Sequence, residues 1–342
     1  MSEVLNAKRT LLKLKYNQQD ISTELEQYLL NWTYTDNLSG EIDDLNIQLA
    51  DSDLLWTGKW FPTKGSTLSP TIIRSHWLPN EVKTKLGTFE IDDIQGKGFG
   101  TTISISALAV SENSSLRGEE KSKAWEKTAL KTVFSTIAKA NKMKLFWQTH
   151  ENPKKDRYEQ DNETDLKFLH RLCKDGGLCL KIANNSIIVL DEENYEKQKP
   201  VEDIRRLSED SDTIKVNNYS FKTSAMGTYK ACRVTHRDTK KKKTITATFT
   251  VPKANKVGRT LVVKDEVKSQ AEAFKLAKKK LREANKNATT FTLEVTTSMQ
   301  IDAGMTFNLQ GFGTLNGKYI VTKVATKPSS ISLNLRRCLE EY

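Results

Sequence analysis

The sequence predicts an α+β protein that is mainly β, in which a small α/β unit separates two strand-rich parts. Three observations predict it. Apolar residues alternate with polar ones over residues 9–110, the period lengthens to that of helices in the middle of the chain, and alternation returns over 212–342. At 342 residues the chain has room for two or three domains, and 37% hydrophobic against 28% charged residues supports real cores beneath a wet surface.

Arg9–Tyr16 places Leu12, Leu14 and Tyr16 against Lys13 and Lys15, the pattern of a half-buried strand, and Asn17-Gln18-Gln19-Asp20 reads as a polar turn. Trp32–Thr35 and Leu45–Leu49 are further strands, the second broken by Asp51-Ser52-Asp53. Gly87–Ile94 and Thr101–Val110 read as a hairpin through Gly96, Gly98 and Gly100. Over 119–142, Trp125, Ala129, Val133 and Ile137 recur four apart with Leu130 and Phe134 beside them, which predicts an amphipathic helix. A second helix is expected over about 163–174, with Leu166, Leu169, Leu172 and Cys173 inward and Gly176-Gly177 ending it. Leu178–Ile182 and Ser186–Leu190 form a hairpin around Asn184-Asn185. In the last part, Thr228–Arg237 and Lys243–Val251 form another. Ser269 with Glu272 three residues on marks the cap of a helix over about 269–286 that turns Ala273, Leu276, Ala277 and Leu281 inward. Thr289–Thr296, Thr306–Gln310, Gly317–Thr326 and Ile331–Arg336 complete the strands, with Asn316-Gly317 expected as a tight hairpin turn.

The net charge of +11 is unevenly spread: −5 over 1–112, +3 over 113–200 and +13 over 201–342. The basic excess has two sources, Lys240–Lys243 at an expected hairpin tip, and Lys275, Lys278, Lys279, Lys280 and Arg282 on the expected helix. Neither is interleaved with aromatics for base stacking, so both are expected as solvated faces. The alternative, a basic nucleic-acid-binding protein, lacks a helix-turn-helix, zinc finger or RNP pattern.

Catalytic chemistry finds little support. Asp43-Asp44 and Asp92-Asp93 are paired acids beside apolar alternation, expected in turns or on solvated faces. His76, His150, His170 and His236 are scattered without metal-ligand spacing. Cys173, Cys179, Cys232 and Cys338 show no C-x-x-C spacing and are expected as reduced core residues. Gly96-Lys97-Gly98-Phe99-Gly100 precedes a strand rather than a helix, so it is read as a loop and not a phosphate cradle. A cell-wall hydrolase would need an acid/base pair or a metal site, and none can be assembled. The expectation is no enzyme, with no catalytic, cofactor-binding or metal residues. No apolar stretch approaches the length of a membrane span and no secretory signal is visible at the start, so synthesis in the cytosol is expected.

Several blocks in order resemble the phage late control protein D family. They are Tyr16–Ser22, Tyr34-Thr35-Asp36-Asn37, Gly40–Leu45 and Trp60–Gly65, then the Gly87–Val110 hairpin. Next comes an R-x-x-Q-x-x-x-T/S-D-L-x-F-L-x-R-L pattern at Arg157, Gln160, Thr164, Asp165, Leu166, Phe168, Leu169, Arg171 and Leu172. Last are Ala303-Gly304, Leu309–Gly313 and Gly317-Lys318-Tyr319. That family supplies baseplate hubs of contractile tails, counterparts of the T-even phage hub and of the N-terminal part of VgrG. The resemblance implies two tube-forming antiparallel β-barrel domains, 1–112 and 206–342, with an α/β insert at 113–205. It implies a homotrimer forming a pseudo-sixfold ring between the hexameric tail tube and the trimeric central spike. Implied partners are that spike protein, the tail tube or a tube-initiator protein, baseplate wedge proteins and the tape measure protein. DNA would pass through the lumen without specific binding if the particle is a phage. No spike domain is recognised before Tyr342, so a separate spike polypeptide is expected.

Overall fold

The computed structural model describes residues 7–76, 81–99, 102–110, 115–209, 213–224, 228–238, 243–252, 258–339 and 342. The N-terminal segment contains β1 (Arg9–Tyr16), β2 (Gln19–Asp20), α1 (Ser22–Tyr28), β3 (Leu29–Asn37), β4 (Asp44–Ala50), β5 (Thr67–Ser75), β6 (Val82–Lys85), β7 (Phe89–Lys97) and β8 (Thr102–Leu108). The middle segment contains α2 (Ser115–Gly118), β9 (Glu120–Ala129), α3 (Leu130–Ala140), β10 (Lys144–Gln148), β11 (Lys154–Thr164), α4 (Asp165–Gly176), β12 (Cys179–Ala183), β13 (Ser186–Leu190) and α5 (Glu192–Lys197). The C-terminal segment contains β14 (Asp203–Arg205), β15 (Ile214–Thr223), β16 (Ala231–Asp238), β17 (Lys243–Thr250), β18 (Thr260–Val263), α6 (Gln270–Asn285), β19 (Thr289–Thr297), β20 (Thr306–Gln310), β21 (Gly317–Thr326) and β22 (Ile331–Arg337).

Alternation explains the sheet. Leu12 and Leu14 of β1, Leu45, Ile47 and Leu49 of β4, and Ile103, Ile105 and Ala107 of β8 all point into one apolar core. Phe291, Leu293 and Val295 of β19 do the same in a second core with Leu333 and Leu335 of β22. These two strand sets are one sheet of 14 strands, running β15-β19-β22-β21-β3-β4-β8-β7-β5-β1-β2, with β6, β14 and β20 attached beside that path. The crossing between segments is the antiparallel pair β21–β3, registered from Lys323 opposite Asn37 to Thr326 opposite Tyr34.

The middle segment packs α3 and α4 on the β10-β13-β12 sheet, through Val133, Phe134, Phe168, Leu169, Ile187 and Val189. A further small sheet, β17-β16-β18, is covered by α6 through Cys232, Val234, Ala273, Ala277 and Leu281.

The caps match their sequence signals. Thr164 Oγ1 accepts from Lys167 N, and Gly177 closes α4 at φ 66°. Ser269 Oγ accepts from Glu272 N, while the Glu272 carboxylate accepts from Lys268 N. Asn184 and Asn185 both have positive φ in the β12–β13 turn.

Three expectations need correction. Residues 120–129 are strand β9, paired with β11, and the helix begins only at Leu130. A spacing of four is even, so Trp125 and Ala129 share a face of a strand as readily as of a helix. The connection at Asn316-Gly317 is no two-residue turn. It runs over 311–316 through a 3-10 turn at Gly313–Leu315, and Asn316 Oδ1 accepts from Phe312 N at 2.7 Å. Helix α1 was not expected at all: with two turns and Leu25 as its buried apolar anchor, it has too few residues to display a period.

The left-handed cap yields a direct prediction. Gly177→Val places a β-branched side chain at φ 66°, and denaturant unfolding is expected to show a loss of about 1–2 kcal/mol. An unchanged midpoint would mean that α4 does not depend on this cap.

Candidate functional site

The polar residues of the Arg157–Leu172 pattern form a strand-to-helix corner. Residues 157–164 are strand, not helix, and α4 starts at Asp165. Gln160, 1% exposed, points inward from β11 and donates through Nε2 to Asp165 Oδ1 (3.0 Å) and to the Glu163 carbonyl (2.9 Å). Asp165 also receives Lys121 Nζ at 2.7 Å and Asn141 Nδ2 at 3.3 Å, so its buried charge is compensated. Arg171 pairs with Glu163 and donates to the Glu159 carbonyl at 2.7 Å, while its guanidinium lies over the Phe168 ring. Phe168 stacks on Trp125 of β9 at 5.2 Å. These contacts position α4, while the buried Gln160 Oε1 and Trp125 Nε1 have no hydrogen-bond partner among the described residues.

Helix α4 and strand β12 carry the middle segment to a junction of all three segments. Its apolar centre is Leu38 from the N-terminal segment, Cys179 and Leu190 from the middle, and Ile320 and Cys338 from the C-terminal segment. Two buried ionic clusters adjoin it.

In the first, Lys181 of β12 pairs with Asp36 and lies 3.5 Å from Asp43, and donates to the Asn37 carbonyl at 3.0 Å. Asp36 also accepts from Ala303 N at 2.7 Å, so one carboxylate touches the middle and C-terminal segments together. Two carboxylates share one ammonium. Burial, opposed by Lys181 and reinforced by Asp36, raises the Asp43 carboxyl to about 6. Burial disfavours charge on Lys181 as well, but the two aspartates outweigh it and hold its pKa above the usual value.

In the second, Arg336 of β22, 1% exposed, lies 2.6 Å from Glu192 and 2.5 Å from Glu196 of α5. Arg282 of α6 approaches Glu196 at 2.5 Å, and Lys286 lies 3.5 Å from Glu192 and 2.7 Å from Glu283. The second oxygen of Glu196 accepts from Leu339 N at 2.8 Å. Burial opposes the charge of Glu192, yet Arg336 and then Lys286 overcome it and keep its carboxyl below the ordinary range.

These contacts correct two expectations. The α6 cations are not a solvated face: Lys275 and Lys279 flank Glu151 at 2.6 and 3.0 Å, Lys278 lies 3.5 Å from Glu193, and Lys280 lies 3.1 Å from Asp175. The basic helix therefore docks on acids of the middle segment. Asp43 is buried at the junction rather than solvated, whereas Asp92 is half-buried and pairs with Arg117 at 2.8 Å. Sequence reasoning also missed Asp36, Lys181, Glu192, Glu196 and Arg336. A buried ion pair between distant segments leaves no local pattern, although Tyr34–Asn37 had been noted for its resemblance.

The other residues singled out by sequence stay apart. His170 is half-buried against Gly40, where an added Cβ would lie 2.9 Å from its Nε2, and burial with Lys174 and Lys286 lowers its pKa. Cys173, Cys179, Cys232 and Cys338 are free and buried, and burial raises the thiols of Cys173 and Cys179. Gly96–Gly98 lie at the β7–β8 tip beside a fully exposed Phe99. Lys240–Lys242 fall outside the described residues, and Lys243 opens β17. Among the described residues no three His, Cys, Asp or Glu side chains cluster to hold a metal ion, and no helix is long and apolar enough to cross a membrane.

Large antiparallel sheets tied together by buried ionic clusters define a mainly β, α+β protein. The family described as phage tail baseplate hub (GPD) matches residues 98–329, and the chain belongs to it, which places it among virion tail components. It is 29% identical over 181 residues to a probable baseplate hub protein of Escherichia phage 186, an alignment covering 52% of this chain and 44% of that relative. The chain thus matches less than half the length of this relative. Its fold is similar to a 43 kDa tail protein of prophage MuSo2 from Shewanella oneidensis (TM-score 0.70, 14% identity, 96% of this chain and 98% of that one). It is also similar to an E. coli type VI secretion component described as resembling bacteriophage T4 tail proteins (TM-score 0.60, 12% identity, 96% and 78%).

Two measurements test the junction. Arg336→Met strands Glu192 and Glu196 without their shared cation and is expected to cost about 3–5 kcal/mol in urea unfolding; a loss below about 1 kcal/mol would contradict the assignment. Because the folded state raises the Asp43 pKa to about 6, it holds that proton more tightly than the unfolded chain. This contribution therefore stabilises as pH falls from about 6 towards 4, by up to about 3 kcal/mol. Comparing the pH dependence of unfolding in wild type and Asp43→Asn isolates it, and superimposable profiles would refute the shift.

Proposed function

We propose that this chain is the structural baseplate hub of a contractile phage tail or tail-like injection particle, with three copies forming a pseudo-sixfold ring between the hexameric tail tube and the trimeric central spike. The observation that carries this reading is the single sheet crossing from the N-terminal to the C-terminal strands through β3 and β21. Each chain thereby presents two strand-rich units side by side, and three chains present six. A ring of six similar units can mate with a sixfold tube, while its true threefold symmetry suits a spike.

In this reading 1–112 and 206–342 are the two tube-forming barrel domains and 113–205 is the insert clamped against both. The pairing of β14 with β20 supports moving the second limit back to about residue 202. The terminal strands of the sheet path, β15 and β2, are edges that neighbouring copies would cover. The partners are the spike protein, the tube or tube-initiator protein, wedge proteins and the tape measure protein. DNA of a phage would pass through the lumen without specific binding. The role demands contact area and rigidity rather than catalysis.

Light scattering on the purified chain, alone and with a candidate spike protein, tests the ring. The expected mass is near three times 38.8 kDa, or a 3:3 complex. A monomer that joins no partner, yet binds DNA with steep salt dependence, would overturn the hub reading.

A further inference from the structure

We propose that Arg74 of β5 is the centre of a site for one monatomic anion, chloride, held where the N-terminal strands meet the β21–β22 turn. This inference stands independently of the ring reading.

The requirement comes from charge. A guanidinium does not lose its proton in a protein, so a buried arginine needs negative charge close by. Among the described residues three arginines are buried, Arg74, Arg282 and Arg336. Arg282 and Arg336 meet glutamates at 2.5–2.6 Å. Arg74, only 2% exposed, pairs with no carboxylate among the described residues, and its guanidinium makes one hydrogen bond, from Nη1 to Gln300 Oε1 at 3.1 Å. That acceptor is a neutral amide, and it also receives Thr84 Oγ1 at 3.3 Å. Asp302 acts on Arg74 at one remove, since its Oδ1 accepts from Gln300 Nε2 at 2.8 Å. Burial pushes the guanidinium below its ordinary value, and the field of Asp302 offsets only part of that. The fold thus leaves this charge without a full counterpart.

The space for a counterpart adjoins it. Arg74 lines a small cavity with Thr10 of β1, Thr297 of β19, Thr326 of β21, and Lys327 and Ser329 of the β21–β22 turn. No Asp or Glu lines it. The hydroxyls of Thr10, Thr326 and Ser329 make no hydrogen bond among the described residues, and Lys327 forms no ion pair there. Guanidinium, ammonium and hydroxyl groups can all donate, so the lining offers an anion what it needs. The cavity measures about 10 Å³, room for one water-sized particle. A single-atom ion is in scale with that space, whereas a phosphate or a sulfate is not. A water molecule would fill the same volume but leave the charge uncompensated.

The position gives the ion a structural role. Strands β1 and β5 stand near one end of the path of the large sheet, and β19 and β22 near the other. The bond from Arg74 to Gln300 shows that the two ends approach each other. Two cations line the cavity between them with no acid, and an anion there turns repulsion into attachment.

Urea unfolding of full-length wild type and Arg74→Met at about 0.01 M and 0.3 M chloride, with methanesulfonate keeping the ionic strength constant, tests the site. The wild-type unfolding equilibrium constant is expected to fall about fivefold or more at the higher chloride concentration, as it does for a ligand that binds only the folded chain. For Arg74→Met the change is expected to stay below about twofold. A wild-type change below about twofold overturns the proposal, and so does an equal chloride dependence in the variant. Wild-type crystals soaked in sodium bromide give a readout that needs no variant. An anomalous scattering peak beside the Arg74 guanidinium is expected, and a peak without anomalous signal, meaning water, overturns the site. A bromide peak in a protein whose unfolding ignores chloride is an adventitious ion only and overturns it as well.

Discussion

A guanidinium with 1% exposure cannot remain charged in a protein interior unless negative charge comes with it. Arg336 on β22, the last strand, therefore requires Glu192 and Glu196, which lie on a helix of the middle segment. Those two glutamates in turn receive Lys286 and Arg282 from the end of α6. The placement of β22, α5 and α6 relative to one another follows from this mutual need. Such a network is a weak source of net stability, because desolvation offsets most of the attraction, but it tolerates few alternative arrangements. Lys181, Asp36 and Asp43 act in the same way where the β3–β4 loop meets β12, with a charge imbalance that leaves Asp43 sensitive to mild acid.

Between these clusters the three segments are joined directly. Leu38, Cys179, Leu190, Ile320 and Cys338 fill the space where the segments meet, and hydrogen bonds of the β3–β21 pair continue the sheet across it. Close-packed interiors transmit load with little compliance. The basic face of α6, which by composition alone resembles a polyanion site, is consumed in attaching the middle segment.

Most strands were legible because one face of each is buried and the other wet. Arg9–Tyr16, Thr306–Gln310 and Gly317–Thr326 occur at the limits that alternation and turn residues indicate. The caps at Ser269 and Gly177 were legible because few residue types can occupy them. Strand β9 was not, since an interval of four satisfies both periods and only its partner β11 decides between them. The junction was not legible either. Asp36 and Lys181 are 145 positions apart, and neither carries a mark of burial in its own neighbourhood. The order of the family-like blocks pointed to the hub, while the roles of Gln160, Asp165 and Arg171 as a corner emerged only once the strand and the helix were placed together.

The central claim is that the segments form one cooperative body through the junction rather than separate units on tethers. Native-state hydrogen exchange across the β3–β21 pair tests it most directly. The account predicts that amides of Thr35–Asn37 and Lys323–Ala325 exchange only with global unfolding, as slowly as those of the β19–β22 core. Exchange of the crossing amides through a local opening, while β19 and β22 remain protected, would contradict it.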